Sequence, residues 1–209
     1  MIEGDTHLSK WIEEQGKLDV DGSAHAVAKR FIKTGDVVVD GGACLGDHTK
    51  VYLDAVGPTG IVHAFEPNPA AFECLQLNCP KAVLHQEALG SASGWRGILL
   101  DPNVGATSLT KGYGNVKVAL LDDYKLPRLN FFKLDVEGME FEALCGSWVT
   151  LVRCQPVVMV EFNRPLLEKF GSSPEEISDF MFGLDYRMEL LDPNYGLDIP
   201  HTDVLFLPA

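Results

Sequence analysis

The sequence predicts an α/β fold built on a doubly wound, mainly parallel sheet whose last strand runs antiparallel, with helices ahead of it. Three observations carry this. Short, continuously apolar, β-branched runs alternate with segments of helical period. The first such run, Val37-Val38-Val39, opens directly into a glycine turn at Asp40-Gly41-Gly42-Ala43. At the far end, two strand patterns (Tyr186 to Leu191 and Asp203 to Leu207) are joined by a loop, Asp192 to Thr202, with no room for a crossover helix, so they pair antiparallel.

Residues 1–33 read as a helical extension: Leu8, Trp11 and Ile12 recur at helix spacing, and Ala24 to Ile32 repeats the pattern after a polar break at Asp19 to Gly22. One domain then covers residues 34–209. Its first strand, apolar at every position, suits burial on both faces of a parallel sheet, and a helix follows the glycine turn to about Val56. Ile61 to Phe65 is the second strand; Glu66-Pro67 ends it, and a helix runs from Pro69 to Asn78. Ala82 to Gln86 is the third. From Gly90 to Leu121 no helical period is present, and the strand candidates Gly97 to Leu100 and Val116 to Leu120 suggest a hairpin or loop inserted in the wound sheet. Phe131 to Asp135 is the fourth strand, followed by a helix with an acidic start at Glu137-Gly138-Met139-Glu140. Pro156 to Glu161 is the fifth, and Pro174 to Phe182 is a helix opened by Ser173 as N-cap with Glu176 three residues on.

A chain of 209 residues suits one α/β core. Seventeen basic against thirty acidic side chains give a net charge of -13, which repels a phosphate backbone or an anionic leaflet. Nucleic acid and membrane are therefore not expected as partners. No apolar stretch approaches the ~20 residues of a spanning helix, and the N-terminus is acidic where a secretory leader is basic, so the expected compartment is the cytoplasm. The five cysteines are odd in number and contain no CxxC pair, which suggests neither a disulfide framework nor a zinc site.

Ligands of such a sheet sit at the carboxyl ends of the strands beside the first one. That directs attention to Asp40, Glu66, Gln86, Asp135 and Glu161. A dinucleotide fold would show GxGxxG after its first strand to seat a pyrophosphate; here Gly42 and Gly46 have three residues between them and Asp40 stands just before. Glycines let the backbone approach a ligand, and the following helix offers free N–H groups. The Asp40 carboxylate repels a pyrophosphate but suits a ligand carrying an ammonium and a sulfonium, which describes S-adenosylmethionine. The plainer alternative is a turn in which Asp40 caps the next helix. Glu66, at the end of strand two and 24 residues beyond Gly42, is placed to accept both hydroxyls of a ribose. A nicotinamide-dependent oxidoreductase would share the fold but lacks its fingerprint here.

The sequence resembles the FkbM-like methyltransferases, mostly O-methyltransferases of natural products and glycans. The matching residues are Val39-Asp40-Gly41-Gly42-Ala43 with Gly46 and Thr49, then Ala64 to Pro69, Leu75 to Asn78, Glu87 to Gly90, Leu121-Asp122, Lys133 to Glu140 and Val160-Glu161. The resemblance implies a Rossmann-like sheet of the seven-stranded methyltransferase type, with S-adenosylmethionine as cofactor. It puts cofactor contacts at Asp40, Gly42 and Glu66, with Ala43, Gly46 and Pro67 in the same motifs, and adenine near Glu87 and Ala88. It also implies a small-molecule or glycan acceptor that carries a hydroxyl. Cys44 departs from the asparagine usual at that position. A non-catalytic interaction module on the same fold is the alternative function.

Methyl transfer is an in-line displacement, so the acceptor must be aligned and a hydroxyl must lose a proton. Asp135 and Glu137, at the end of strand four, are the candidate catalytic residues; the alternative is that Asp135 orders the loop through backbone N–H groups. A second reading places a magnesium ion on Asp135, Glu161 and Asn163, three hard oxygen donors at neighbouring strand tips, by analogy with catechol-type O-methyltransferases. His48 and His63 read as packing residues. His201 reaches the acceptor side only if its loop folds over the sheet edge. Gly105-Ala106-Thr107-Ser108 are candidates for substrate contact in the inserted stretch.

Overall fold

The structure, a computed structural model, describes residues 22–99, 108–110, 112, 114–191 and 201–209. The helix expected around Leu8 to Ile12, the Gly105 to Thr107 turn and most of the loop between the last two strands lie outside these residues.

The main sheet holds seven strands: β1 (Val37–Gly41), β2 (Ile61–Phe65), β3 (Val83–His85), β9 (Phe131–Leu134), β10 (Val157–Asn163), β11 (Tyr186–Leu190) and β12 (His201–Pro208). Their spatial order is β11-β12-β10-β9-β1-β2-β3. β1, β2, β3, β9 and β10 pair parallel, while β12 runs antiparallel to both β10 and β11. The chain order reverses between β1 and β9, so the carboxyl ends of these two strands flank the cleft where ligands of such sheets bind.

The apolar runs are continuous because both faces of the sheet are covered. Val37, Val39, Phe132, Leu134, Val158, Val160 and Phe206 point to one side. There they meet Leu144 of α4 (Glu140–Cys145), Leu151 of α5 (Trp148–Cys154), Leu167 of α6 (Arg164–Phe170) and Ile177 and Met181 of α7 (Pro174–Phe182). The alternate residues Val38, Val62, Phe131, Met159 and Leu205 face the other side. They pack on Val27 and Ala28 of α1 (Gly22–Phe31) and on Tyr52 and Val56 of α2 (Asp47–Val56). Period-2 alternation thus survives as two hydrophobic faces rather than as one apolar and one polar face.

α3 (Pro69–Asn78) has the predicted bounds, with Asn68 as N-cap accepting from Ala70 N–H. The inserted stretch makes small sheets of its own. β8 (Val116–Ala119) lies between β4 (Ala88–Leu89) and β5 (Gly94–Arg96), and β6 (Ile98–Leu99) pairs antiparallel with β7 (Ser108–Leu109).

Three departures have local causes. The helix expected from Glu137 starts at Glu140 instead, because Glu137 and Gly138 turn the chain at φ 55 and 97. The Glu140 carboxylate accepts the Val136 and Gly138 N–H groups at 2.9 and 3.2 Å and closes that turn. The sequence gives no clear signal for α5, because its apolar Trp148, Val149 and Val152 face solvent and blur the helical period. Nor does it signal α6, which is short and has Pro165 in its first turn. Among the described residues no helix is long and apolar enough to cross a membrane.

Candidate active site

The β1–α2 loop is fixed from three sides. Gly42 and Ala43 both donate to the Phe65 carbonyl at 3.0 Å, which ties the turn to the end of β2. Gly42 takes φ 78, and a Cβ there would lie 1.7 Å from the Asp135 carbonyl oxygen; the turn can pass under the end of β9 only as glycine. On the other side, Asn78 Nδ2 donates to Leu45 O at 2.8 Å and the Cys79 thiol to Gly46 O at 3.2 Å. Gly46 begins α2 at φ 91, pressed against Leu75 and Cys79. The Leu75 to Asn78 segment that the resemblance singled out is therefore a brace for the loop.

Glu66 stands just past β2, only 6% exposed. Its two carboxylate oxygens accept one backbone N–H each, Cys44 at 2.9 Å and Asn68 at 2.7 Å. Burial still outweighs these bonds and lifts its pKa to about 7. A carboxylate has about four lone-pair sites, so one per oxygen remains for a further donor. The contact from position 44 is a backbone N–H, so the cysteine in place of asparagine leaves it intact. Pro67 is half-buried beside Glu66.

Asp40, the other carboxylate expected at the cofactor, sits deeper than Glu66. It has no exposed surface, and its carboxylate accepts from Thr49 Oγ1 at 2.6 Å and lies 3.5 Å from Lys133 Nζ. Its charge faces the Lys133 ammonium inside the protein, while Oδ1 has no hydrogen-bond partner. Lys133 is the hub of that network. Its Nζ donates to Gly42 O at 3.0 Å and pairs with Asp135 Oδ2 at 3.2 Å. Burial opposes its charge, yet Asp135 and Asp40 hold it protonated well above the ordinary lysine range. Sequence reasoning passed over this residue, although a lysine inside Phe131-Phe132-Lys133-Leu134 is a visible signal: a buried cation needs an anion.

Glu87 is also largely spent within the protein, on Lys117 Nζ at 2.6 Å and on the Tyr124 hydroxyl. Ala88 is buried in β4. Beside them Phe65 stacks on His85 at 4.3 Å between ring centroids, with Tyr124 edge-on to both. This aromatic group borders the place expected to receive adenine.

At the ends of β9, β10 and β12 the structure gathers Asp135, Glu137, Glu140, Glu161 and Asp203. Asp203 lies opposite Glu161 in the β10–β12 register, and Asn163 opposite His201. Burial, then Glu161 and Asp135, push the Glu137 pKa up to about 8. Burial and Glu161 do the same for fully buried Glu140, against the two N–H groups that it accepts. Burial and Asp135 raise Glu161, opposed by His201, whose Nε2 is 2.7 Å from Glu161 Oε1. That bond in turn raises His201 to about 9. His201 reaches Glu161 as the first residue of β12, opposite Asn163; the loop before it lies outside the described residues.

The magnesium reading gains no support. Among the described residues no group of three or more His, Cys, Asp or Glu side chains is arranged to hold a metal. Of the three expected ligands, Asp135 is paired with Lys133, Glu161 with His201, and Asn163 is half-buried at the start of α6.

The sheet order, the glycine turn against Glu66 and the carboxylates at the next strand ends are those of a doubly wound α/β protein with a polar cleft at its switch point. Comparison with known proteins makes the class definite. The Methyltransferase FkbM domain matches residues 40–188, and the chain belongs to that family. A curated relative, the hexuronic acid methyltransferase AglP of Haloferax volcanii, is 27% identical over 176 residues, covering 78% of this chain and 68% of its own. Among solved structures, the methyltransferase FkbM of Methylobacillus flagellatus KT aligns with TM-score 0.57 at 14% identity, covering 93% of this chain. This chain spans 57% of the length of that protein. A TehB-like S-adenosylmethionine-dependent methyltransferase from Corynebacterium glutamicum aligns over 99% of this chain and 98% of its own, with TM-score 0.58 at 12% identity. These two likenesses concern the fold.

Proposed function

We propose that the chain is an S-adenosylmethionine-dependent O-methyltransferase that methylates a hydroxyl of a small molecule or glycan, with residues 34–209 as its catalytic domain. One observation carries the cofactor half: Glu66 is fixed by two backbone N–H bonds and keeps one acceptor site on each oxygen, which matches the two adjacent hydroxyls of a ribose. The fold and the family support the same reading, and the hexuronic acid methyltransferase among the relatives supports a sugar-derived acceptor.

In this reading Glu66 holds the ribose and the Gly42 to Gly46 turn lies along the methionine part. The group near Glu87, Ala88, His85 and Tyr124 borders the adenine. S-adenosylmethionine supplies an electrophilic methyl group. The strand ends at Asp135, Glu137 and Glu161 face the acceptor, orient it for in-line attack and receive its proton. Lys133 ties the two sides together by holding Gly42 O and Asp135 at once.

Titration calorimetry with S-adenosylhomocysteine tests the reading. Saturable binding is expected, weakened by ~3 to 6 kcal/mol in Glu66→Ala, the worth of two hydrogen bonds to a charged group. No binding at millimolar ligand would overturn it.

A further inference from the structure

Among the described residues nine large apolar side chains are exposed, and three of them, Trp148, Val149 and Val152, fall on the seven-residue helix α5, at 54%, 56% and 51% exposure. Single exposed apolar residues are ordinary on a protein surface; a contiguous group marks a contact. At 3.6 residues per turn, Trp148 and Val152 stand one above the other and Val149 lies about 100° round from Trp148, so the three share one face. The opposite side of the helix is the one in the core, with Thr150 and Leu151 buried. Asp122 caps the start of α5 by accepting the Val149 and Thr150 N–H groups at 2.9 and 2.8 Å, so the backbone there is satisfied and the face is a side-chain surface.

The two borders of this face carry opposite charge. On one side Arg153 donates to the Leu126 and Pro127 carbonyls, which sets it beside the exposed Lys125 and Arg128. On the other side α7 leans on α4, with Phe180 edge-on to Phe141 at 5.8 Å between ring centroids. Burial, Glu142 and Glu176 raise the Cys145 thiol, so Glu176 lies beside the end of α4, and exposed Asp179 is one turn further along α7. Among the described residues none of Lys125, Arg128, Arg153, Glu176 and Asp179 belongs to an ion pair. A membrane surface would match the basic border and be repelled by the acidic one. A second copy of this chain matches both. Rotation by 180° about an axis parallel to α5 lays each copy's basic border on the other's acidic border and brings the apolar faces together; an axis across the helix would set like charges against each other. Cations at the contact also offset the repulsion between two chains of net charge -13.

We infer that this face is the contact surface of a two-fold symmetric dimer of the chain, closed over Trp148, Val149 and Val152, with the basic border of each copy on the acidic border of the other. The apolar side chains form the centre of the interface and the charged borders its rim. α5 leads into β10 at its amino end, Val157, whereas Glu66, Asp135 and Glu161 stand at or beyond the carboxyl ends of β2 and β9 and near that of β10. The contact therefore lies toward the end of the sheet away from the cleft, and both clefts of the dimer stay open. Nothing in the contact depends on what the cleft binds.

Sedimentation velocity of the full chain at physiological salt, from low to high micromolar concentration, tests this. A dimer is expected. Val149→Asp and Val152→Asp, which put a carboxylate at the centre of the face, should each give a monomer whose circular dichroism is that of the wild type, since both positions are exposed in the single chain. Lys125→Glu with Arg128→Glu should weaken dimerisation about tenfold, and so should Glu176→Lys with Asp179→Lys, because each surface pair counts twice in a symmetric contact. All four changes together should restore most of the loss, the borders having exchanged sign. Val152→Cys should cross-link to its own copy under mild oxidation, beyond the level of the wild-type chain on a non-reducing gel, a readout that needs no charge in the interface. A wild-type chain that stays monomeric at high micromolar concentration overturns the inference. So does a dimer indifferent to Val149→Asp and Val152→Asp, a fourfold variant as weak as either pair alone, or a dimer without the Val152→Cys cross-link. Monomers that co-sediment with phosphatidylserine vesicles, and cease to in Val152→Asp, would make the face a membrane contact and overturn it as well.

Discussion

The two ends of the cleft are built by opposite means. Around the β1–α2 loop the work is done by backbone: N–H groups of Cys44 and Asn68 on Glu66, the Phe65 carbonyl on Gly42 and Ala43, and a glycine packed under Asp135 O. Around β9, β10 and β12 it is done by side chains, five carboxylates with Lys133 and His201 among them. Backbone contacts fix a shape and tolerate changes of side chain, as Cys44 shows. A side-chain cluster fixes a charge pattern and is open to variation in what it accepts. In the proposed function that division matches a shared cofactor and a changing acceptor.

Lys133 belongs to both ends, so removing it is the strongest way to break the distinction. Lys133→Met leaves Asp40 buried without its cation, frees Asp135 and withdraws the bond to Gly42 O. Stripping one partner from a buried pair costs ~3 to 5 kcal/mol. Denaturant unfolding should show a loss of that order, and cofactor affinity should fall with it. A variant of unchanged stability would mean that the ends are independent.

The same division decides what could be read from sequence. The strand–turn–helix succession, the α3 and α7 bounds, the antiparallel last strand and the Glu66 position were legible because each depends on contiguous residues with a fixed period or turn chemistry. The destination of the Asp40 carboxylate was not. It depends on Lys133, 93 positions away, brought alongside by the parallel β1–β9 register in which Asp40 lies opposite Lys133 itself. Pairing of Glu161 with His201, 40 residues apart, likewise appears only once β12 is laid antiparallel on β10. Strand order, not local pattern, writes the acidic end.

A second, smaller effect separates the ends by pH. Glu137 and Glu140 have folded pKa values near 8, well above the ordinary 4.5. The folded state therefore holds protons that the unfolded chain has released, and the stability from these groups, complete below the unfolded value, is lost as pH rises through about 8. Glu66 follows the same sign, but its loss centres at about 7. His201, raised to about 9, extends the decline further upward. The cofactor-free protein should melt about 3 to 6 °C lower at pH 8.5 than at pH 5.5, the scale of one to two kcal/mol in a chain of this size. Glu137→Gln should flatten the curve around pH 8, and Glu66→Gln around pH 7. A curve insensitive to Glu137→Gln would place the trapped protons elsewhere.

The smallest expected effect concerns the cofactor end alone. Cys44 sits at φ 47, in the left-handed region where a side chain costs ~1 to 2 kcal/mol and asparagine, able to bond locally, costs less. Restoring the residue usual in the family, Cys44→Asn, should therefore raise stability by ~0.5 kcal/mol, visible as a small upward shift in thermal unfolding. Its contact with Glu66 comes from the backbone N–H at 2.9 Å, so S-adenosylhomocysteine affinity should not change. A gain in affinity larger than the gain in stability would show that the side chain at this position reaches the ligand. The cofactor end would then be held partly by side chains, as the acceptor end is.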